Sequence, residues 1–242
     1  IGWISIAFTG CSNRSEPQGK EANHPRIVSF APSLTQILFD MGLGKNIVGV
    51  TRWCVLPKGV SKPIVGDRFH VNTEAILNVN PDIILIQQNP QDFGALKKIK
   101  PNVKIYHFTI NTLEDIASAL ERIGKIVGNV ELGRRRRKEF EDKLESVRRS
   151  VAGLKKVRVV FLDGFERPMV HGKGTFIGEM IELAGGINAS AEKYNGWAMV
   201  SNEAVIALRP DVLICLVNPS QVCLLYTSDA ADDGESVDLG GR

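Results

Sequence analysis

The sequence predicts an α/β protein of two lobes, each built on a parallel, doubly wound sheet, with one long helix joining them. Three observations predict it: short apolar runs alternate with helical patterns at both ends of the chain, a long proline-free helical stretch separates them, and one helix-to-strand motif occurs once on each side of that stretch.

The first lobe spans residues 26–128. Ile27-Val28-Ser29-Phe30 is a short strand, Ala31-Pro32-Ser33 a turn, and Thr35 to Met41 a helix stopped by Gly42. Asn46 to Val50 is a second strand. After the loop Thr51 to Val71, a helix opens at Asn72 or Thr73 and gives way at Pro81-Asp82 to the strand Ile83 to Gln87, and Lys104 to Thr109 adds another strand. Residues 129–155 form the linking helix. It follows an interruption at Gly128-Asn129, and roughly two dozen residues at about 1.5 Å rise make it about 35 Å long. Its run Arg134 to Arg137 is followed by Glu139, Glu141, Asp142 and Glu145, the pattern of a solvated helix laced with ion pairs, not of a nucleic-acid arm. The second lobe, 156–221, has a strand at Val157 to Asp163, a helix at Thr175 to Ala184 closed by Gly185-Gly186, a helix at Asn202 to Leu208 and a strand at Val212 to Val217.

A length of 242 residues with 43% hydrophobic residues suffices for two modest cores, and 30 basic against 27 acidic residues exclude charge as a pointer to nucleic acid. The first 25 residues read as a processing segment. Ile1 to Gly10 is apolar or small and runs into Cys11 within Thr9-Gly10-Cys11, the setting of a lipidated cysteine, and a polar tether follows. At the other end, Cys223 to Asp232 and Val237 to Arg242 resemble the translated read-through of a transposase-type sequencing adapter, so 222–242 is set aside as an adapter-derived tail. The remaining cysteines, Cys54 and Cys215, have neither metal-ligand nor disulfide-framework spacing.

The motif that appears twice is Glu74-Ala75-Ile76-Leu77, three residues, Pro81-Asp82-Ile83-Ile84, matched by Glu203-Ala204-Val205-Ile206, three residues, Pro210-Asp211-Val212-Leu213. Each copy is a capped two-turn helix ended by proline before a buried strand. A carboxylate in a first helical turn is favoured by the macrodipole alone. Two equivalent carboxylates in two lobes also suit a partner with two equivalent positive pockets.

Together with Arg26 to Thr35, Ile47-Val48-Gly49-Val50-Thr51 and Leu183 to Asn188, these motifs resemble the helical-backbone class of periplasmic binding proteins, which serve ABC importers of cobalamin, ferric siderophores and haem. The resemblance runs from Arg26 to about Gln221. It implies a lipid-anchored periplasmic or extracytoplasmic monomer with no intrinsic cofactor, binding cobalamin or another corrinoid, or alternatively a ferric siderophore or haem. It also implies a second lobe truncated relative to the family, and a permease dimer, with its ATPase subunits, on which Glu74 and Glu203 dock through arginines.

The ligand is expected between the lobes, on loops at strand ends. Pro32, Ser33, Trp53, Arg68, Phe69, Phe165 and Trp197 are the candidates, with Trp53 and Trp197 falling where cobalamin binders carry aromatic contacts. Val55-Leu56 departs from the Asp-Tyr of many relatives. Arg52, Arg68 and Arg167 suit the carboxylate or catecholate oxygens of a siderophore. Of His24, His70, His107 and His171 no set has metal-ligand spacing, and His107 reads as a core histidine. Gly172-Lys173-Gly174-Thr175 fails the P-loop pattern, Asp163 stands alone, and catalytic residues are not expected; a nucleotide-binding enzyme or metal-chelate reductase is the distant alternative.

Overall fold

The computed structural model describes residues 25–164 and 167–216, and the chain divides into two compact units, Ile1–His107 and Phe108–Arg242. Cys11, Phe165 and the adapter-like tail lie outside the described residues.

In the first unit, β1 (Ile27–Ser29), α1 (Pro32–Asp40), β2 (Ile47–Val50), α2 (Thr73–Asn78), β3 (Ile83–Ile86), α3 (Gly94–Ile99) and β4 (Lys104–His107) follow in order. The four strands are parallel in the order β2-β1-β3-β4, with Val28 opposite Ile84 and Ser29 opposite Leu85. Strands covered on both faces need apolar side chains at every position, and β3 reads Ile-Ile-Leu-Ile for that reason. On one face Val28, Ile84 and Ile86 pack with Ile76 of α2 and with Phe93, Leu96 and Val103. On the other, α1 lies over Ser29, whose hydroxyl accepts from Thr35 Oγ1 at 2.8 Å. Helices therefore flank both faces, and the strand order reverses direction between β1 and β3.

Two local readings change. The helix α1 begins at Pro32 instead of Thr35, because proline's fixed φ and missing N–H suit the first helical position. The segment after β3, unread in the sequence, forms a 3-10 turn at Pro90–Phe93 and then α3, whose Leu96 is fully buried.

The second unit opens with α4 (Leu113–Ile126) and α5 (Val130–Ser150), packed against each other as a hairpin. A capping box between Thr112 and Asp115 starts α4, and Asn129 caps α5 by accepting from Leu132 N. Of the arginine run, Arg134 pairs with Glu131, Arg136 with Glu139, and Arg137 with Glu114 and Glu141, as expected of a solvated charged helix. Then come β5 (Arg158–Asp163), β6 (Met169–His171), α6 (Phe176–Leu183), β7 (Ile187–Asn188), β8 (Trp197–Met199), α7 (Asn202–Ala207) and β9 (Val212–Leu216).

β9 runs parallel to β5 along its length, so β7 and β6 share the other edge of β5, β7 parallel and β6 antiparallel. The frame β7-β5-β9 repeats the frame β2-β1-β3. The antiparallel pair β6 and β8 is an addition that the sequence reading left among loops. Val160, Leu162 and Val170 pack with Val205 and Leu208 of α7 on one face, and α6 meets Val159 through Gly186 on the other. On β9, Val212, Leu213 and Ile214 are exposed, whereas their counterparts on β3, Ile83, Ile84 and Leu85, are buried.

The hairpin of α4 and α5 closes on glycine. A methyl at Gly124 would sit 2.6 Å from Gly133 Cα, a backbone atom that cannot turn aside. Alanine in an open helix is worth up to about 1 kcal/mol over glycine. At Gly124 the sign reverses: Gly124→Ala is expected to destabilise by on the order of 1–3 kcal/mol in urea unfolding, through overpacking.

Candidate functional site

The duplicated motif is duplicated in atomic detail. Asn72 accepts from Ala75 N at 2.9 Å at the start of α2, and Ser201 accepts from Ala204 N at 3.3 Å at the start of α7. Each helix ends in a left-handed non-glycine residue, Asn80 at φ 41° and Arg209 at φ 49°, just before its proline. An arginine ties each turn down. Arg26 donates from Nε to Asn80 O and from its guanidinium to Val79 O, while its own N–H meets Asp82 Oδ2 at 2.8 Å. Arg158 does the same to Arg209 O, Leu208 O and Asp211 Oδ2. Glu74 and Glu203 thus occupy equivalent, exposed first-turn positions. The Ser201 side chain and a backbone N–H hold Glu203 below its ordinary carboxylate pKa.

In the first unit, the candidate ligand residues stand where a doubly wound sheet presents its carboxyl ends. Pro32 is exposed at the head of α1, and Ser33 Oγ donates to Gln87 Oε1 at 3.2 Å, bridging the loops after β1 and β3 at the point of reversal. Trp53 follows β2 in a turn and is exposed. Beneath it Cys54 Sγ lies 3.1 Å from Thr35 Oγ1 and 3.2 Å from Thr51 Oγ1.

Asp67 joins this turn to the next loop. Its largely buried carboxylate accepts from Phe69 N and His70 N, each at 2.9 Å, and pairs with Arg52 at 3.3 Å. Those backbone bonds, then His70 and Arg52, hold its pKa below the ordinary value. Gly66, at φ 143°, lets the loop double back, since a side chain there would strike His70 O. Arg68 and Phe69 are left exposed at the tip. Arg52, offered by the sequence for siderophore oxygens, pairs with Asp67 while most of its side chain stays exposed. The sequence signal for this arrangement was the Gly-Asp pair ahead of Arg68-Phe69.

In the second unit Trp197 lies in β8, not in a loop: a three-residue strand after Gly196 is too short to show its alternation. It is half exposed, packed on His171 and flanked by Phe176. Arg167 is exposed beside a shallow recess formed with Pro168, Met199, Val200, Ser201 and Asn202 next to Glu203. His107 is exposed at the end of β4 and bonds Gln87 O, so it is not a core histidine; the buried one is His171. At Gly172-Lys173-Gly174-Thr175, Thr175 caps α6, and Phe176 N donates to Asn111 O, which occupies the place a phosphate oxygen would take. Among the described residues no cluster of three or more His, Cys, Asp or Glu is gathered, and no helix is long and apolar enough to cross a membrane.

Comparison with known proteins adds four findings. The family described as periplasmic binding protein matches residues 27–233. The chain is 30% identical over 219 residues to the ABC transporter substrate-binding lipoprotein YvrC of Bacillus subtilis strain 168, covering 86% of this chain and 68% of that relative. The crystal structure of the periplasmic vitamin B12 binding protein BtuF of Vibrio cholerae matches with TM-score 0.69 at 25% identity, over 83% of this chain and 79% of that one. The periplasmic haem-binding protein RhuT of Roseiflexus sp. RS-1 matches with TM-score 0.70 at 26% identity, over 79% and 76%.

The Asp67 clamp makes a local prediction. Replacing the carboxylate by an amide in Asp67→Asn is expected to speed hydrogen exchange at Phe69 N and His70 N while leaving the amides of β3 unchanged. Because its folded pKa is depressed, the carboxylate's contribution is complete above the unfolded value of about 3.9 and is lost as pH falls through the lower folded value. Protection at these two amides should accordingly persist at pH 5 to 7 in the unsubstituted chain.

Proposed function

The chain belongs to the periplasmic binding protein family, and on that premise we propose that it captures a metal chelate, cobalamin or another corrinoid, and delivers it to the permease of an ABC importer. The observation that carries the reading is the placing of Trp53 and Trp197, one in each unit, both exposed although indoles ordinarily seek burial. A corrin presents a broad, largely apolar rim and face, and exposed aromatic side chains with oriented polar neighbours suit it. In the first unit Pro32, Ser33, Arg68 and Phe69 supply those neighbours, and Phe165 is assigned the same role from its place in the sequence, two residues after Asp163. The likeness to the vitamin B12 binding protein supports this ligand class.

Haem or a ferric siderophore is the second reading. Arg68 and Arg167 favour it, since both are exposed, and a guanidinium matches the propionates of haem or the oxygens of a siderophore. The likeness to a haem-binding protein supports it as well.

In either case the protein acts by binding without turnover, as a monomer, and ATP is hydrolysed by the importer's ATPase subunits. Glu74 and Glu203 dock on the permease dimer: equivalent, exposed carboxylates at the heads of two matching helices fit a partner with two equivalent cationic pockets. Cys11 carries the lipid that anchors the protein at the membrane surface.

Tryptophan fluorescence tests the ligand. Cobalamin is expected to quench it saturably, haem and ferric siderophores less tightly; silence toward all three sinks the reading. Trp53→Ala and Trp197→Ala should each weaken affinity by roughly tenfold to a hundredfold, the effect of truncating a buried aromatic contact. Docking is tested separately. Glu74→Ala combined with Glu203→Ala should leave ligand affinity unchanged and reduce co-purification with the permease, and undiminished co-purification would remove the docking role.

A further inference from the structure

Three aromatic side chains form a row across three adjacent strands of the second unit. Leu162 faces Val170 and His171 faces Trp197 in the antiparallel registers, which sets Phe161, His171 and Trp197 side by side on the sheet face opposite Val160, Leu162 and Val170. The ring centroids of Phe161 and His171 are 5.2 Å apart at 89°, and those of His171 and Trp197 5.0 Å apart at 46°. Phe176 of α6 closes the row edge-on to Trp197 at 6.4 Å. The indole is half exposed, whereas the imidazole beside it is 4% exposed.

His171 is unusual in what its ring lacks. Neither Nδ1 nor Nε2 has a hydrogen-bond partner among the described residues, although both are buried. Its backbone is held, since His171 O accepts from Asn188 Nδ2 at 2.9 Å. Packing alone would be better served here by phenylalanine, because a buried polar atom with no partner is unfavourable.

The charged groups around it offer little to an imidazolium. Asp163, one strand over and on the same face, is the acidic group that favours the charged form, and burial outweighs it and pushes the histidine's pKa down. Of the others on neighbouring elements, Glu179 of α6 accepts from Leu113 N, Glu192 is paired with Arg158, and Lys173 follows two residues on in the chain.

We propose that His171 is the positioning residue of Trp197: as the neutral imidazole it backs the indole in its ligand-binding pose, and on protonation it leaves the row, releases the indole and loosens the hold on the ligand. This rests on the reading of Trp197 as a ligand contact. The sign follows from the depressed pKa. The neutral row is complete above the ordinary histidine value of about 6.5 and is lost as pH falls through the lower folded value.

The test has one arm that needs no ligand. In the Trp3→Phe, Trp53→Phe background, which leaves Trp197 as the one indole, the indole N–H resonance and the fluorescence of Trp197 are followed from about pH 7.5 to about pH 5, the range over which histidine titrates. A one-proton transition below about pH 6.5 is expected. It should vanish in His171→Gln and in His171→Phe, the pair guarding against one variant failing to fold. A Trp197 signal flat across the range, or a transition that survives in either folded variant, overturns the proposal.

The second arm measures cyanocobalamin and haemin affinity at the two pH values. A loss of about tenfold on acidification is expected with histidine at 171, and less than about twofold with glutamine. Equal losses in both overturn the proposal. Failure of both ligands to bind at either pH counts against the proposed function, and the ligand-free arm then decides the role of His171 by itself.

Discussion

At the start of each unit's first strand an arginine side chain closes over the end of a helix that lies far ahead in the sequence, donating to its last two carbonyls while the strand's first N–H is taken by an aspartate just beyond. These bonds answer the two needs that a helix ended by proline creates. The final carbonyls have no intrahelical partner, and the chain must reverse through a left-handed residue that carries a side chain. The guanidinium of Arg26 or Arg158 supplies several donors in a fixed plane, which a lysine would not. Everything of functional interest on α2 and α7 depends on this lash. It joins each two-turn helix, too short to be stable alone, to a parallel strand of the sheet, and so orients Glu74 and Glu203 from their helices' far ends.

Polarity is distributed differently in the two sets of strand-end loops. In the first unit the exposed side chains stand on a floor of satisfied hydrogen bonds: Ser33 to Gln87, Asp67 to two amides and Arg52, and Thr35 and Thr51 around Cys54. Such a floor fixes loop shape before a ligand arrives, and binding then costs less ordering entropy. In the second unit the corresponding support is aromatic. Rings stacked across strands hold shape by area and edge-to-face contact, and they leave the imidazole among them sensitive to its own charge.

The frame of the molecule was legible because its signals are strong and local. Buried parallel strands such as Ile83–Ile86 need apolar residues on both faces, and the Pro-Asp that follows a capped helix marks the boundary in both copies. What escaped is short or ambiguous. β6, β7 and β8 have only two or three residues each, too few to show a period of two; β6 and β7 are recruited by β5, and β8 by β6 across the intervening α6 and β7. Pro32 reads equally as a turn or as a first helical residue, and only packing chose the helix. At the candidate site the exposure of Trp53, Arg68 and Phe69 fits the loops in which the sequence places them, whereas the burial of Asp67, hinted at only by the Gly-Asp pair, comes from its contacts with Arg52 and with the amides of Phe69 and His70. His107, read as a core histidine, is exposed, and His171 is buried instead: burial of a lone histidine is decided by elements far away in the chain.

The paired lashes also bear on how the chain reaches its fold. Arg26 meets Asp82 across 56 residues and Arg158 meets Asp211 across 53, so each closes a loop wholly inside its own unit. Loop-closure entropy rises only with the logarithm of length, and the two closures therefore cost almost the same. Each unit carries its own latch, and the bonds of each latch lie wholly within that unit. A substitution in one turn therefore removes bonds from the unit that bears it and leaves those of the other turn in place, a separation that a single latch spanning the whole chain could not provide.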